Sequence, residues 1–171
     1  MKTLNQLTEA SKDDLPSIYC DMDEVLVALL DGAKQVLGKP MTEVEKTERW
    51  NTISSVKNFW ENLKWMPNAK RLYDFMSKYD AHILSAFTKR DPNSRNGKMK
   101  WLQKNAKYSR SNIHLVQREQ KQKFATTNGK PNVLIDDYIK NIQEWESKGG
   151  IGIHHTNVSK TINELKRLGF K

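Results

Sequence analysis

Paired carboxylates are the chemical signature of this sequence. Asp21-Met22-Asp23 directly follows one short apolar stretch, Ser17–Cys20, and Asp136-Asp137 closes another. Between them the stretch Ala81–Ser85 ends in a hydroxyl, and the polar segment after Asn112–Val116 carries Arg118, Lys121 and Lys123. Four carboxylates brought to one place repel and resist ionising together. A hard divalent cation relieves that repulsion, and oxygen donors in this number suit Mg²⁺. A lysine beside them can neutralise a carboxylate and grip a phosphate. This set could therefore bind a metal and an anion and use a spare carboxylate as a nucleophile. Taken singly, each member is ordinary: Asp-x-Asp is common in turns, Asp-Asp often caps a helix, and Ser85 or Lys121 alone says nothing. Their joint order, each just after its own apolar stretch, is what singles them out.

Such an order needs elements that bring four chain segments to one edge. In open α/β sheets the working residues lie at the carboxyl ends of the strands. Strands are expected at 17–20, 81–85, 112–116, 132–136 and 151–154, alternating with helices, which implies βαβ units around a parallel sheet of about five strands. Helices are expected through Leu37 to a stop near Gly38-Lys39-Pro40, over 42–64, from Pro67-Asn68 onward, around Met99–Leu102, through Phe124-Ala125, over 138–147, and at the end of the chain on Val158, Ile162, Leu165 and Leu168. The all-helical stretch at 40–66 breaks the alternation. The expected fold is Rossmann-like α/β, with a core of 17–25 and 66–171, a small helical cap at 26–65 after the first strand, and a loose leader at 1–16.

Composition narrows the classes. The 171 residues suit one domain with an insert, and 15 aromatics argue against disorder. No apolar run approaches the roughly 18 residues of a membrane span, and the first residues, MKTLNQLTEASKDD, lack the apolar stretch of a secretory signal. The single cysteine, Cys20, excludes an internal disulfide framework and a Cys-rich zinc site, so a reducing cytoplasm is expected. Cys20 reads as a buried strand residue and His154-His155 as structural. Asn96-Gly97-Lys98 is not a phosphate-cradling loop, because no Gly lies five positions before Gly97. The net charge of +9 fits a solvated basic surface or an anionic ligand equally.

Four motifs carry a family resemblance. IYCDMDEVL (18–26), HILSA (82–86), QREQK (117–121) and NVLIDD (132–137) resemble, in order, the signature motifs of the haloacid dehalogenase-like phosphohydrolases, and most closely their 5′(3′)-deoxyribonucleotidase branch. Residues 53–76 are similar to that branch's segment joining cap to core, and GKMKWLQKN (97–105) to its helix after the second motif. The resemblance covers about 17–155. It implies that Asp21 is the nucleophile forming an aspartyl-phosphate. Asp23 would be general acid/base and would offer Mg²⁺ its backbone carbonyl. Ser85, with Ala86, would hold the phosphoryl group, and Lys121 would hold nucleophile and phosphate together. Asp137 would ligate the metal beside Asp136, Lys89 would be a second phosphate-facing lysine, and Arg118 could hold the phosphate. Two departures stand out. Glu24 occupies a position where many relatives have Gly, and Ala28-Leu29 replaces an Asp-Phe pair whose Phe stacks on the base. Trp50, Phe59 and Trp60 are the aromatics that could stack instead, unless they are core.

The expected function is therefore a Mg²⁺-dependent phosphomonoesterase acting on a phosphorylated small molecule of nucleotide type, with no membrane partner. Two alternatives stand beside it: a phosphatase acting on nucleic-acid ends, which the charge and small cap would suit, and a non-catalytic phosphate-binding module of the same fold. The leader resembles the short leaders of packaged proteins of large tailed phages, with Leu7-Thr8-Glu9 as the cleavage triplet.

Overall fold

The structure, a computed structural model, describes residues 14–171. Leu7-Thr8-Glu9 and most of the expected leader lie outside the described residues. Five short strands form the sheet: β1 (Ile18–Cys20), β2 (His82–Ala86), β3 (Ile113–Val116), β6 (Val133–Asp136) and β7 (Ile151–His154). All neighbours are parallel and the order is β3-β2-β1-β6-β7. β4 (Thr126–Thr127) and β5 (Lys130–Pro131) make a separate antiparallel hairpin. The chain steps outward from β1 to β3, returns to β6 on the other side of β1, and steps outward again. The direction of winding thus reverses between β1 and β6, where a crevice opens at the carboxyl ends of the strands.

The alternation along each strand fills both faces with apolar side chains, as buried parallel sheets require. Ile18, Cys20, Ile83, Val133 and Ile135 enter one cluster, with Leu72 of α3 (Ala69–Met76), Trp101 of α4 (Ser94–Asn105) and Leu165 of α6 (Val158–Arg167). Tyr19, Leu84 and Leu134 point the other way, onto Ile142 and Trp145 of α5 (Ile139–Ser147). The buried indoles keep their hydrogen bonds: Trp101 Nε1 donates to the Leu63 carbonyl at 2.8 Å and Trp145 Nε1 to that of Asn132 at 3.0 Å.

Between β1 and α3 lies the inserted segment, with α1 (Leu29–Leu37) and α2 (Lys46–Ser55). Its two ends are stitched together, since Ala28 N–H donates to Lys64 O and Met66 N–H to Leu26 O. Ala33, Ile53, Phe59, Trp60 and Leu63 from the insert belong to the same apolar cluster as the sheet. The helix expected over 42–64 is broken. α2 ends at Ser55, Asn58 takes φ 59°, and a short 3₁₀ turn, Trp60–Asn62, follows. Asn tolerates that conformation, and the break lets Trp60 lie on Gly97, where an added Cβ would come within 2.4 Å of the Trp60 Cβ. Two smaller differences have local causes. The helix expected near Phe124 is a 3₁₀ run, Arg118–Phe124. The turn expected at 128–131 is a hairpin, because Asn128 and Gly129 both take positive φ (51° and 75°), as a two-residue hairpin turn demands.

Candidate active site

The strand register brings the paired carboxylates together. Cys20 lies opposite Ile135, and the next residue, Asp21, donates its N–H to the Ile135 carbonyl at 2.9 Å. Asp21 thus emerges beside Asp136, at the point where the winding reverses. Ligand oxygens of Asp21, Asp136 and Asp137 lie within 4.8 Å of one another. Lys121 bridges two of them, its Nζ 2.7 Å from Asp136 Oδ2 and 3.2 Å from Asp21 Oδ1. The 3₁₀ run after β3 delivers this lysine, and a reciprocal Gln117–Gln120 cap fixes where that run starts.

Asp136 is fully enclosed and committed. Its Oδ2 also accepts from Asn141 Nδ2 (3.0 Å), and its Oδ1 accepts from Tyr138 N–H (2.9 Å). Asp137 is half-buried beside it. Asp21 Oδ1 takes the Met22 N–H (2.7 Å) along with Lys121. Asp136 therefore anchors the lysine, while Asp21 and Asp137 are the carboxylates better placed to serve a cation.

Ser85 and Asp23 meet at a second cation, Lys98. Its ammonium is buried and bonds Asp23 Oδ2 (2.5 Å), Ser85 Oγ (3.0 Å) and the Ala86 carbonyl (2.7 Å). The other Asp23 oxygen, Oδ1, is buried with no hydrogen-bond partner among the described residues. Burial raises the Asp23 pKa, with the Lys98 charge opposing. Such a carboxyl is suited to holding a proton.

Lys98 is the residue missed in sequence. It is one helical turn from both Ser94 and Trp101, on the face of α4 that also buries Leu102. A lysine on an apolar helical stripe must find acceptors, and that was its legible signal. Lys89 and Arg90 are exposed, and the cation bonded to Ser85 and Ala86 is Lys98. Arg118 turns to α5, bonding Glu144 (2.9 Å) and Asn141 (3.1 Å). Phe59 is core, edge-on to Trp60, and Trp50, half-buried, stacks on Trp60 at 6.2 Å. His155 is buried and paired with Thr161 Oγ1 (2.7 Å), and His154 Nε2 lies 2.9 Å from the Asp137 carbonyl. Cys20 is wholly buried and its thiol is held well above its usual pKa by that burial.

The donor set fits a hard divalent cation. Among the described residues the ion-pair partners of the four carboxyl groups Asp21, Asp23, Asp136 and Asp137 are two lysines, Lys98 and Lys121, with no ion pair to Asp137. Burial, then the neighbouring Asp21, raises the Asp136 pKa; the same two causes, with Asp136, push Asp137 up to about 7. An acid whose pKa is raised by folding favours the folded state only while protonated. Without a cation, the Asp137 contribution therefore falls as pH rises from about 4, its unfolded value, to about 7. In chelator at pH 8, Asp137→Asn is expected to melt above the wild type, and Mg²⁺ should raise the wild-type melting temperature but not that of the variant. Equal melting temperatures in chelator would contradict this strain.

No helix of the described residues is long and apolar enough to cross a membrane. No protein-family model and no curated protein matches the sequence. In structure the chain is similar to a hydrolase from Streptococcus pneumoniae TIGR4, with a TM-score of 0.54 at 10% identity, over 89% of this chain and 98% of that one. At that identity the likeness concerns the fold.

Proposed function

We propose that this protein is a hydrolase of phosphomonoesters of nucleotide type, dependent on Mg²⁺ and working through an aspartyl-phosphate on Asp21. The observation that carries the reading is the meeting of Asp21, Asp23, Ser85, Lys98, Lys121 and Asp137 where the winding of the sheet reverses. The structural similarity to a hydrolase of the same fold supports it. The nucleotide part rests on the sequence resemblance, because Trp50 and Phe59 are engaged within the insert and Leu29 stands where the resembling branch stacks a base.

In this mechanism Asp21 attacks phosphorus and the ester oxygen departs with the proton that Asp23 holds. Water then attacks the aspartyl-phosphate, Asp23 takes its proton, and inorganic phosphate leaves. Ser85 holds a phosphoryl oxygen, Lys98 holds Ser85 and Asp23 in place, and Lys121 keeps Asp21 aimed. Asp21 and Asp137 would hold Mg²⁺, which supplies positive charge where the phosphoryl oxygens gather it.

The test is a screen of the purified protein, with Mg²⁺ and with chelator, against nucleoside monophosphates, sugar phosphates and 5′- or 3′-phosphorylated oligonucleotides. Mg²⁺-dependent release of phosphate from monophosphates, with purines and pyrimidines within about tenfold in kcat/KM, is expected. No release from any ester would overturn the reading. Activity confined to oligonucleotides, lost steeply with salt, would favour nucleic-acid ends. Asp23→Asn should cost at least about a hundredfold on alkyl esters and far less on p-nitrophenyl phosphate, whose leaving group departs without a proton. Equal losses on both would remove Asp23 from the acid's role.

A further inference from the structure

Glu24 breaks two local rules at once. It is a non-glycine residue in the left-handed region (φ 60°), and it is a half-buried carboxylate directly after Asp23. Its backbone sits at the tip of a stiff turn in which the N–H groups of Val25, Leu26 and Val27 all converge on the Met22 carbonyl (3.2, 2.8 and 2.9 Å). Glu24 N–H closes the turn on Val27 O at 2.8 Å. A glycine would hold this conformation without steric cost, so a side chain kept there has something to do.

The side chain reaches the insert. Glu24 Oε1 accepts the Leu30 N–H at 2.7 Å, at the N-terminus of α1. That helix has no cap of its own, since its N-cap residue is Ala28, whose side chain accepts nothing. A carboxylate there satisfies an otherwise orphaned donor and meets the positive end of the helix dipole. The anchor lies six residues before the amide it caps, inside the loop that carries Asp23.

We propose that Glu24 is a positioning residue that latches the first helix of the insert to the catalytic loop, so that the placement of α1 and of Asp23 is set together. This rests on the reading of Asp23 as the proton donor, and its test therefore has one arm that needs no turnover. The variants are Glu24→Ala, which removes the acceptor and keeps the strained backbone; Glu24→Gly, which removes both; and Glu24→Gln, which keeps an oxygen for the Leu30 amide.

Hydrogen exchange is the first arm. In Glu24→Ala, peptides covering 21–28 and 29–37 should both exchange about fivefold faster, the size of a lost helix cap, with Glu24→Gln close to wild type. Faster exchange in 29–37 with 21–28 unchanged would overturn the latch, as would no change in either. Kinetics is the second arm. Glu24→Ala and Glu24→Gly should lower kcat about tenfold on an alkyl phosphate and less than threefold on p-nitrophenyl phosphate, with KM little altered, and Glu24→Gln should restore the ratio. Equal losses on both esters, or a Gln variant as poor as Ala, would refute the coupling to Asp23. If the wild type releases no phosphate from any ester, the reading of the site fails while the exchange arm still decides the latch.

Discussion

Asp21→Asn is expected to abolish phosphate release while leaving the protein at least as stable as the wild type. The two halves of that expectation come from different atoms. The amide oxygen of Asn can still take the Met22 N–H that Asp21 Oδ1 accepts at 2.7 Å, so the turn after β1 keeps its geometry. The substitution also removes one carboxylate from a group of four carboxyls whose ion-pair partners among the described residues are Lys98 and Lys121. With no cation bound, that relieves repulsion between Asp21 and the enclosed Asp136. The amide cannot attack phosphorus, so kcat should fall by at least about 10⁴-fold, of order 5 kcal/mol in barrier. Purified variant and wild type, melted in chelator and assayed in Mg²⁺ on the same monophosphate, read both halves. Residual activity within a hundredfold of wild type would take the nucleophile's role from Asp21. A melting temperature well below wild type would show that the carboxylate is structural.

The sheet was legible because its strands announce themselves as short apolar runs, each ending in a polar residue, and the order Asp-x-Asp, Ser, Lys, Asp-Asp follows from that punctuation. Asp21 and Asp137 come within metal-binding reach because Cys20 pairs with Ile135, a register that two adjacent parallel strands make natural. What was not legible is where long side chains end. Lys89 lies close to Ser85 in sequence yet is exposed, whereas Lys98 reaches Ser85 from a helix nine residues further on. The buried face of α4 decides that, not distance along the chain. Arg118 and Lys121 are three residues apart in one 3₁₀ run, yet one turns outward to Glu144 and the other inward to Asp21 and Asp136. The aromatics of 50–60 carry the same ambiguity between stacking on a ligand and filling the insert: Phe59 and Trp60 are buried in the insert, while Trp50, stacked on Trp60, is half-buried.

Lys121→Met should be the most destabilising single change among the charged residues of the site. Lys121 is buried between two carboxylates, and burial alone would lower its pKa, but Asp21 and Asp136 outweigh that and hold it above the ordinary lysine value. Met matches much of the lysine stem, so little cavity is left. What remains is a pair of buried carboxylates with no cation between them, a loss of roughly 3–5 kcal/mol by comparison with other broken buried pairs. For a chain of this size that is a fall in melting temperature of roughly 6–20 °C. The electrostatic origin gives the loss two signatures. It should shrink as pH falls, because burial and the neighbouring Asp21 raise the Asp136 pKa and protonating Asp136 removes the repulsion. It should also shrink when Asp136→Asn is added, since the amide leaves Asp21 without a buried opponent and still accepts from Tyr138 N–H, which bonds Asp136 Oδ1 at 2.9 Å. Lys98→Met is the control: it frees one carboxylate, Asp23, whose side chain is 24% exposed, and should cost less. Thermal melts of the three variants at pH 5 and pH 8 separate these cases. A Lys121→Met protein whose deficit is the same at both pH values, and is not reduced by Asp136→Asn, would mean that Lys121 stabilises by packing and that the charge balance described here is not what holds the site together.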